Sequence, residues 1–135
     1  MKTPYEKVIE FNSQILGIDQ EILQVLPREE ALLLVRQLRE EIEEFEVAHQ
    51  RDNFVACVDS LIDLIYFALG GLYKKGLNSE DFHEVFAIVH ECNMNKKKGT
   101  VEKRAVEGAA DAIKPEGWKA PECLILEYFS GDYNV

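Results

Sequence analysis

The sequence predicts an all-α fold, a four-helix-bundle-like domain followed by a long basic C-terminal loop and a short terminal helix. Two observations carry this. Apolar residues recur at helical spacing in four separate segments, and no segment alternates apolar and polar residues as a half-buried strand would. The breaks between those segments fall at Gly17, at Pro27, in the KKGLN stretch after Gly70-Gly71, and after Asn95.

The first helix is expected from near Pro4, carrying Val8, Phe11, Ile15 and Leu16 up to Gly17. The second begins after Pro27, where Glu29 and Glu30 suit the positive end of a helix, and runs to about Gln50. Its apolar stripe is Ala31, Leu34, Leu38, Ile42 and Phe45. The third spans about Asp52 to Tyr73 and looks buried all round. A tight connection around Arg51 makes these two long helices antiparallel. Asn78 or Ser79 caps a fourth, with Phe82, Val85, Phe86 and Val89 on one face. Beyond Asn95 the periodicity fails, which predicts a loop with one irregular turn, and Pro121 opens a last helix over ECLILEYF.

A chain of 135 residues is read as one domain, 1–135, large enough to bury a core. No apolar run is read as approaching the roughly 20 residues that span a bilayer. The stretch MKTPYEKVIEFN lacks the apolar core of a secretory signal, and Cys57, Cys92 and Cys123 form no CxxC pair. Reduced, buried thiols in a cytoplasmic protein are expected. The net charge of −10 repels nucleic acid and anionic membranes, so neither is expected as a partner. The charge is unevenly spread: residues 96–119 sum to +3 and the remainder to −13. Such a division suits a small anion held between a metal cluster and lysines, although incidental lysines on a solvated loop give the same sum.

The third helix poses the chemical question. In VDSLIDLIYFALGG, residues 58–71, Asp59 and Asp63 sit among apolar side chains. An unpaired buried carboxylate costs several kcal/mol or takes up a proton. On the second helix, REEIEEFE (residues 39–46) places Glu41 and Glu44 at the edge of the apolar stripe, with Glu40 flanking and Glu43 and Glu46 pointing outward. An antiparallel hairpin brings Glu41 and Glu44 opposite Asp59 and Asp63. Four converging carboxylates repel one another unless cations bind. All-oxygen ligands favour Mg2+, with Mn2+ as the alternative. Acid runs on one helix are usually solvated; the pairing with two aspartates in an apolar helix is the signal. A di-iron reading through the ExxH pairs Glu46/His49 and Glu80/His83 leaves Asp59 and Asp63 without a role.

With those residues in view, the sequence resembles the all-α nucleoside triphosphate pyrophosphohydrolases, in their MazG-like, phosphoribosyl-ATP pyrophosphohydrolase-like branch. EEIEEF, DSLIDLIYFALGGLYKKGL, VFAIVHECNMNKKKG and IKPEGWKAP carry the likeness, from about Phe11 to Pro121. The resemblance implies a MazG-type fold and Mg2+-dependent hydrolysis of a (d)NTP to (d)NMP and pyrophosphate by a cytoplasmic homodimer or homotetramer. It implies Glu41, Glu44 and Asp63 as metal ligands, with Asp59 matching an acid of a DxxxD variant. Glu40, beside the ligand Glu41, becomes the residue that orients or deprotonates the attacking water. Asn93 and Lys96 match phosphate-contacting positions of the Asn-Met-x-Lys segment, with Lys97 and Lys114 as further phosphate ligands. Asn12, next to Phe11, and Trp118 fall near the base, although simple packing is the favoured reading for Phe11 and Trp118. Many relatives carry glutamate where this chain has Ser60, which bears on the number of metals. Two other readings remain: phosphoribosyl-ATP pyrophosphohydrolase of histidine biosynthesis, and a metal-stabilised helical module without catalysis.

Overall fold

The computed structural model describes residues 1–130. Its elements are α1 (Pro4–Gln14), α2 (Arg28–Gln50), α3 (Phe54–Lys74), α4 (Ser79–Met94), β1 (Lys97–Gly99), a 3-10 turn (Glu102–Arg104), β2 (Asp111–Ile113) and α5 (Glu122–Phe129). The architecture is all-α with one small hairpin. The chain gathers into two compact units, Met1–Phe82 and the residues from His83 on.

In the first unit, side-chain caps fix the starts of α1, α3 and α4. Thr3 caps α1 through a reciprocal box with Glu6, and Pro4 occupies the first turn, where a missing N–H costs nothing. Asn53 caps α3 by accepting from the Ala56 N–H at 3.0 Å. Asn78 and Asp81 exchange two such bonds at the start of α4, at 2.8 and 3.1 Å. Between α2 and α3 the chain turns over residues 51–53, and Asp52 takes a left-handed φ of 51°. That conformation removes Asp52 from the helix the sequence assigned it to. The α2–α3 pair forms the most extensive contact between elements.

The centre of this unit is aromatic and hydrogen-bonded. Tyr5 and Val8 are the most deeply buried side chains. The Tyr5 ring stacks on Phe82 with centroids 4.4 Å apart, and its hydroxyl donates to the Leu77 carbonyl at 2.7 Å. Gly71 lets α3 meet α2 closely, since a Cβ there would lie 2.6 Å from Leu34. Ile42, expected in the α2 stripe, is exposed instead. His49 is also exposed and stacks on Phe45.

The third helix departs most from expectation. It is 21 residues long with mean hydropathy 1.8, and by length and composition alone it is apolar enough to cross a membrane. The expectation that no apolar run approaches membrane-spanning length therefore fails by that measure, although Asp59 and Asp63 lie within the helix and charges at a bilayer's centre are costly. Within one chain α3 is not buried all round. Val55, Val58, Leu61, Ile62 and Ile65 are exposed, so a single α2–α3 hairpin covers one side only.

In the second unit, the segment expected to be a loop contains an antiparallel pair in the register Lys97–Ile113, Lys98–Ala112 and Gly99–Asp111. Three-residue strands are too short for an alternation pattern to register in sequence. Gly99 is required there, because a Cβ would sit 2.7 Å from Ile113. Arg104 forks onto Asp111 at 2.6 and 2.9 Å, tying the 3-10 turn to β2. Trp118 donates its indole N–H to the Cys92 carbonyl at 2.7 Å. Cys92 is buried as expected, whereas Cys123 is exposed and Cys57 half-buried; all three are free thiols.

Candidate metal centre

The second and third helices bring the predicted acids into one neighbourhood of the first unit. Glu40, Glu41 and Glu44 each offer a carboxylate oxygen within 4.8 Å of the others. Spacings of one, three and four residues achieve this because i and i+3 or i+4 share a helix face. Among them only Glu41 is buried, at 6% exposure, and its Oε2 has no hydrogen-bond partner. Its pKa is pushed up to about 7, first by burial, then by a hydrogen bond with Glu44 that only the protonated form can supply. Repulsion from Glu44, Asp63 and Glu40 adds to the shift. Asp63, half-buried on α3, is raised by burial and then by Asp59 and Glu44. The structure thus gathers Glu40, Glu41, Glu44, Asp59 and Asp63 from two helices.

A divalent cation fits this set. A buried carboxylate oxygen without a donor, on a side chain whose pKa burial and neighbouring acids raise, is a group short of positive charge. The donors are all carboxylate oxygens, a set that suits a hard divalent cation rather than a thiophilic metal.

Two cavities adjoin the acids. One, of about 360 Å3, runs between α1, α2 and α3 and has Asp63 in its wall. Phe11, Leu16, Leu34, Tyr66 and Phe67 make it largely apolar. Asn12 lines it at 3% exposure. The Asn12 Nδ2 donates to the Val8 carbonyl at 2.9 Å, while Oδ1 is left without a partner. A carbonyl can only accept, so that contact fixes which end of the amide is free. Lys74, also in this wall, pairs with Glu30 at 2.9 Å. The second cavity, of about 530 Å3, holds Glu40, Glu43, Glu44 and Asp59 with Arg51. Glu43, expected to point outward, is therefore part of the acid wall. Ser60 is buried, but its hydroxyl donates to the Ala56 carbonyl at 2.8 Å, back along its own helix.

The predicted C-terminal residues belong to the second unit. Lys96 and Lys114 each hold an ammonium 5.1 Å from the centre of the Trp118 ring. Asn93 and Lys97 are exposed, Asn93 on α4 and Lys97 on β1. Sequence reasoning missed Tyr66, Phe67 and Lys74 as cavity residues. Their signal was present: they follow Asp63 by three, four and eleven positions, on the face the aspartate marks. Tyr66 meets Phe11 edge-on at 5.5 Å.

An all-α fold that sets paired acids on two helices beside a largely apolar cavity suits a hydrolase of nucleotides. The family model for phosphoribosyl-ATP pyrophosphohydrolase matches residues 9–93, and the chain belongs to that family, within the MazG-like all-α superfamily. It is a pyrophosphohydrolase acting on nucleotide phosphoanhydride bonds. No curated protein matches the chain. The match contains every acid of the centre and ends before the hairpin.

Proposed function

We propose that this chain is a Mg2+-dependent nucleoside triphosphate pyrophosphohydrolase that cleaves between the α and β phosphates, giving (d)NMP and pyrophosphate. The observation that carries the reading is the buried, partnerless Oε2 of Glu41 within an acid cluster, near Asp63 in the wall of a largely apolar cavity.

Glu41, Glu44 and Asp63 would hold the ion, with Asp59 beside them. The bound cation supplies charge neutralisation and a water of lowered pKa. Glu40, exposed next to the buried Glu41, takes the proton of the attacking water as its oxygen bonds to phosphorus and the bridging P–O bond breaks. The apolar cavity takes the base, and the free Oδ1 of Asn12 accepts a hydrogen bond from it. Asn93, Lys96, Lys97 and Lys114 are the proposed phosphate contacts, and Trp118 is the platform that carries two of those lysines. The exposed apolar face of α3 supports a homodimer or homotetramer, and a cytoplasmic enzyme is part of the same proposal. The family description favours a second reading, in which the substrate is phosphoribosyl-ATP itself.

The test is a panel of NTPs, dNTPs and phosphoribosyl-ATP with Mg2+, scored by pyrophosphate release. Release abolished by Glu41→Ala and by Asp63→Asn supports the assignment. No release from any nucleotide by a protein that still binds Mg2+ returns it to a structural, non-catalytic role.

A further inference from the structure

The segment between α1 and α2 is tied down onto the end of α3. Gly17, at a φ of 67°, turns the chain out of α1, and the Ile18 N–H donates to the Asn12 carbonyl at 2.9 Å. The Tyr73 hydroxyl donates to the Ile18 carbonyl at 3.4 Å and accepts from the Gln20 N–H at 3.3 Å. Gln24 donates twice, from its backbone to the Lys75 carbonyl at 2.9 Å and from its side chain to the Lys74 carbonyl at 3.1 Å. Between these bonds the Ile22 carbonyl sits against Gly76, where a Cβ would lie 2.4 Å from its oxygen. Both ends of the segment enter the wall of the 360 Å3 cavity, Leu16 at its start and Leu26 at its finish. Lys74 joins the two features: its carbonyl accepts from Gln24, while its ammonium pairs with Glu30 in the cavity wall. The middle of the segment is poorly buried, with Ile22 75% and Val25 85% exposed. Hydrogen bonds rather than apolar packing hold it, which puts it at the low-stability end of the fold, from which lids are drawn.

We propose that residues 18–26 are a strap that closes the nucleotide cavity, and that Tyr73 is the positioning residue that latches it. Tyr73 does not line the cavity and acts on an occupant through Leu16 and Leu26, the two wall residues that the strap carries. The inference rests on the nucleotide reading of the cavity given above and adds that the ligand enters and leaves with the latch undone. A latch has a kinetic signature. Weakening it speeds entry and departure alike, and affinity hardly moves while the closed form stays the majority. A residue that touches the ligand changes departure far more than entry.

The full chain with Mg2+ is tested against α,β-imido analogues of the common NTPs and dNTPs, which bind without being cleaved. Surface plasmon resonance gives association and dissociation rates, and hydrogen exchange follows the Gln20 and Gln24 amides. The tightest analogue should slow exchange at both amides. Tyr73→Phe should raise association and dissociation rates together by roughly tenfold, the weight of the hydroxyl's hydrogen bonds, with Kd changing by less than about threefold. Gln24→Ala, on an exposed side chain that threatens no core packing, should move both rates the same way by a smaller factor. Thr3→Ala removes the cap at the far end of α1, lowers the stability of the same unit, and should leave both rates alone. Entry and departure that rise together in the two latch variants support the strap. It is overturned by an analogue that binds while the Gln20 and Gln24 amides exchange as in free protein. A Tyr73→Phe effect on dissociation alone, or an equal effect of Thr3→Ala, also overturns it. If no analogue binds, the nucleotide reading of the cavity fails and the strap with it. A protein that releases pyrophosphate and binds the analogue with an indifferent segment keeps its proposed function and loses only the strap.

Discussion

Glu41 and Glu44 stand one turn apart on α2, and only Glu41 is buried, so their two carboxylates share one deficit of positive charge. This relationship dictates how stability responds to pH. An unfolded glutamate ionises near 4.5, whereas Glu41 in the fold ionises near 7. Between those values the folded protein binds more protons than the unfolded one, so stability falls as pH rises. Metal-free protein should therefore melt at a lower temperature at pH 7.5 than at pH 5, contrary to the usual carboxylate behaviour. Mg2+ should raise the Tm more at pH 7.5, where the site is ionised, than at pH 5. Differential scanning fluorimetry in EDTA and in Mg2+ measures both slopes; a metal-free Tm that climbs over this interval contradicts the assignment.

Removing the charge separates folding from function. Glu41→Gln keeps the shape of the buried side chain and abolishes its ionisation. Metal-free Glu41→Gln should be at least as stable as wild type at pH 7.5, while the Mg2+-induced rise in Tm disappears. Pyrophosphate release should fall by at least about a hundredfold, the scale expected when a charged group needed in the transition state is lost. Asp59→Asn should cost less, since Asp59 is exposed and reaches the cluster from the side of the second cavity. Equal damage from Glu41→Gln and Asp59→Asn would show that Asp59 is a full ligand.

The acids and the helices were legible in the sequence because both depend on period. Pro27, Asn78, Pro121 and the helical repeats mark element ends to within about two residues, and EExxE against DxxxD marks the acid walls. What escaped depends on tertiary geometry. Asp52 leaves α3 because the turn needs a left-handed residue, and Ile42 falls outside the stripe because α3 covers α2 over a narrower arc than helical projection assumes. The hairpin was invisible because a pair of three-residue strands has no period to read, only a glycine that makes room for the Ile113 side chain.

Asn12 predicts a trade of binding against stability. Its Oδ1 is buried without a partner, a desolvation cost of about 1–3 kcal/mol that an occupant of the cavity can offset. Asn12→Leu removes that orphan atom and loses the Nδ2 bond to Val8, so the Tm should change little. KM for nucleotides should rise by roughly tenfold, the worth of one hydrogen bond in a dry pocket. Tripolyphosphate, which has no base, should be unaffected by the substitution. If Asn12→Leu leaves nucleotide KM unchanged, the base lies elsewhere.

Tyr5 supplies a purely structural contrast. Its hydroxyl donates to the Leu77 carbonyl at 2.7 Å in the most buried part of the first unit, while its ring stacks on Phe82. Tyr5→Phe preserves the stack and strands a buried carbonyl, at a cost of about 1–2 kcal/mol. Urea unfolding should show that loss as a lower midpoint with an unchanged slope, and Mg2+ affinity should not move.

The apolar face of α3 argues for self-association. Val58, Leu61, Ile62 and Ile65 repeat at helical spacing and are exposed in the single chain. A contiguous apolar stripe of this kind, beside carboxylates that need an ordered surround, is covered by a second copy in the proposed assembly. Light scattering behind size exclusion should give twice or four times the chain mass of 15.5 kDa at micromolar concentration. Ile65→Glu places a charge in the middle of that face and should yield monomer with a lower Tm. Monomeric wild-type protein that floats with lipid vesicles would instead assign the face to a membrane, despite Asp59 and Asp63 within it.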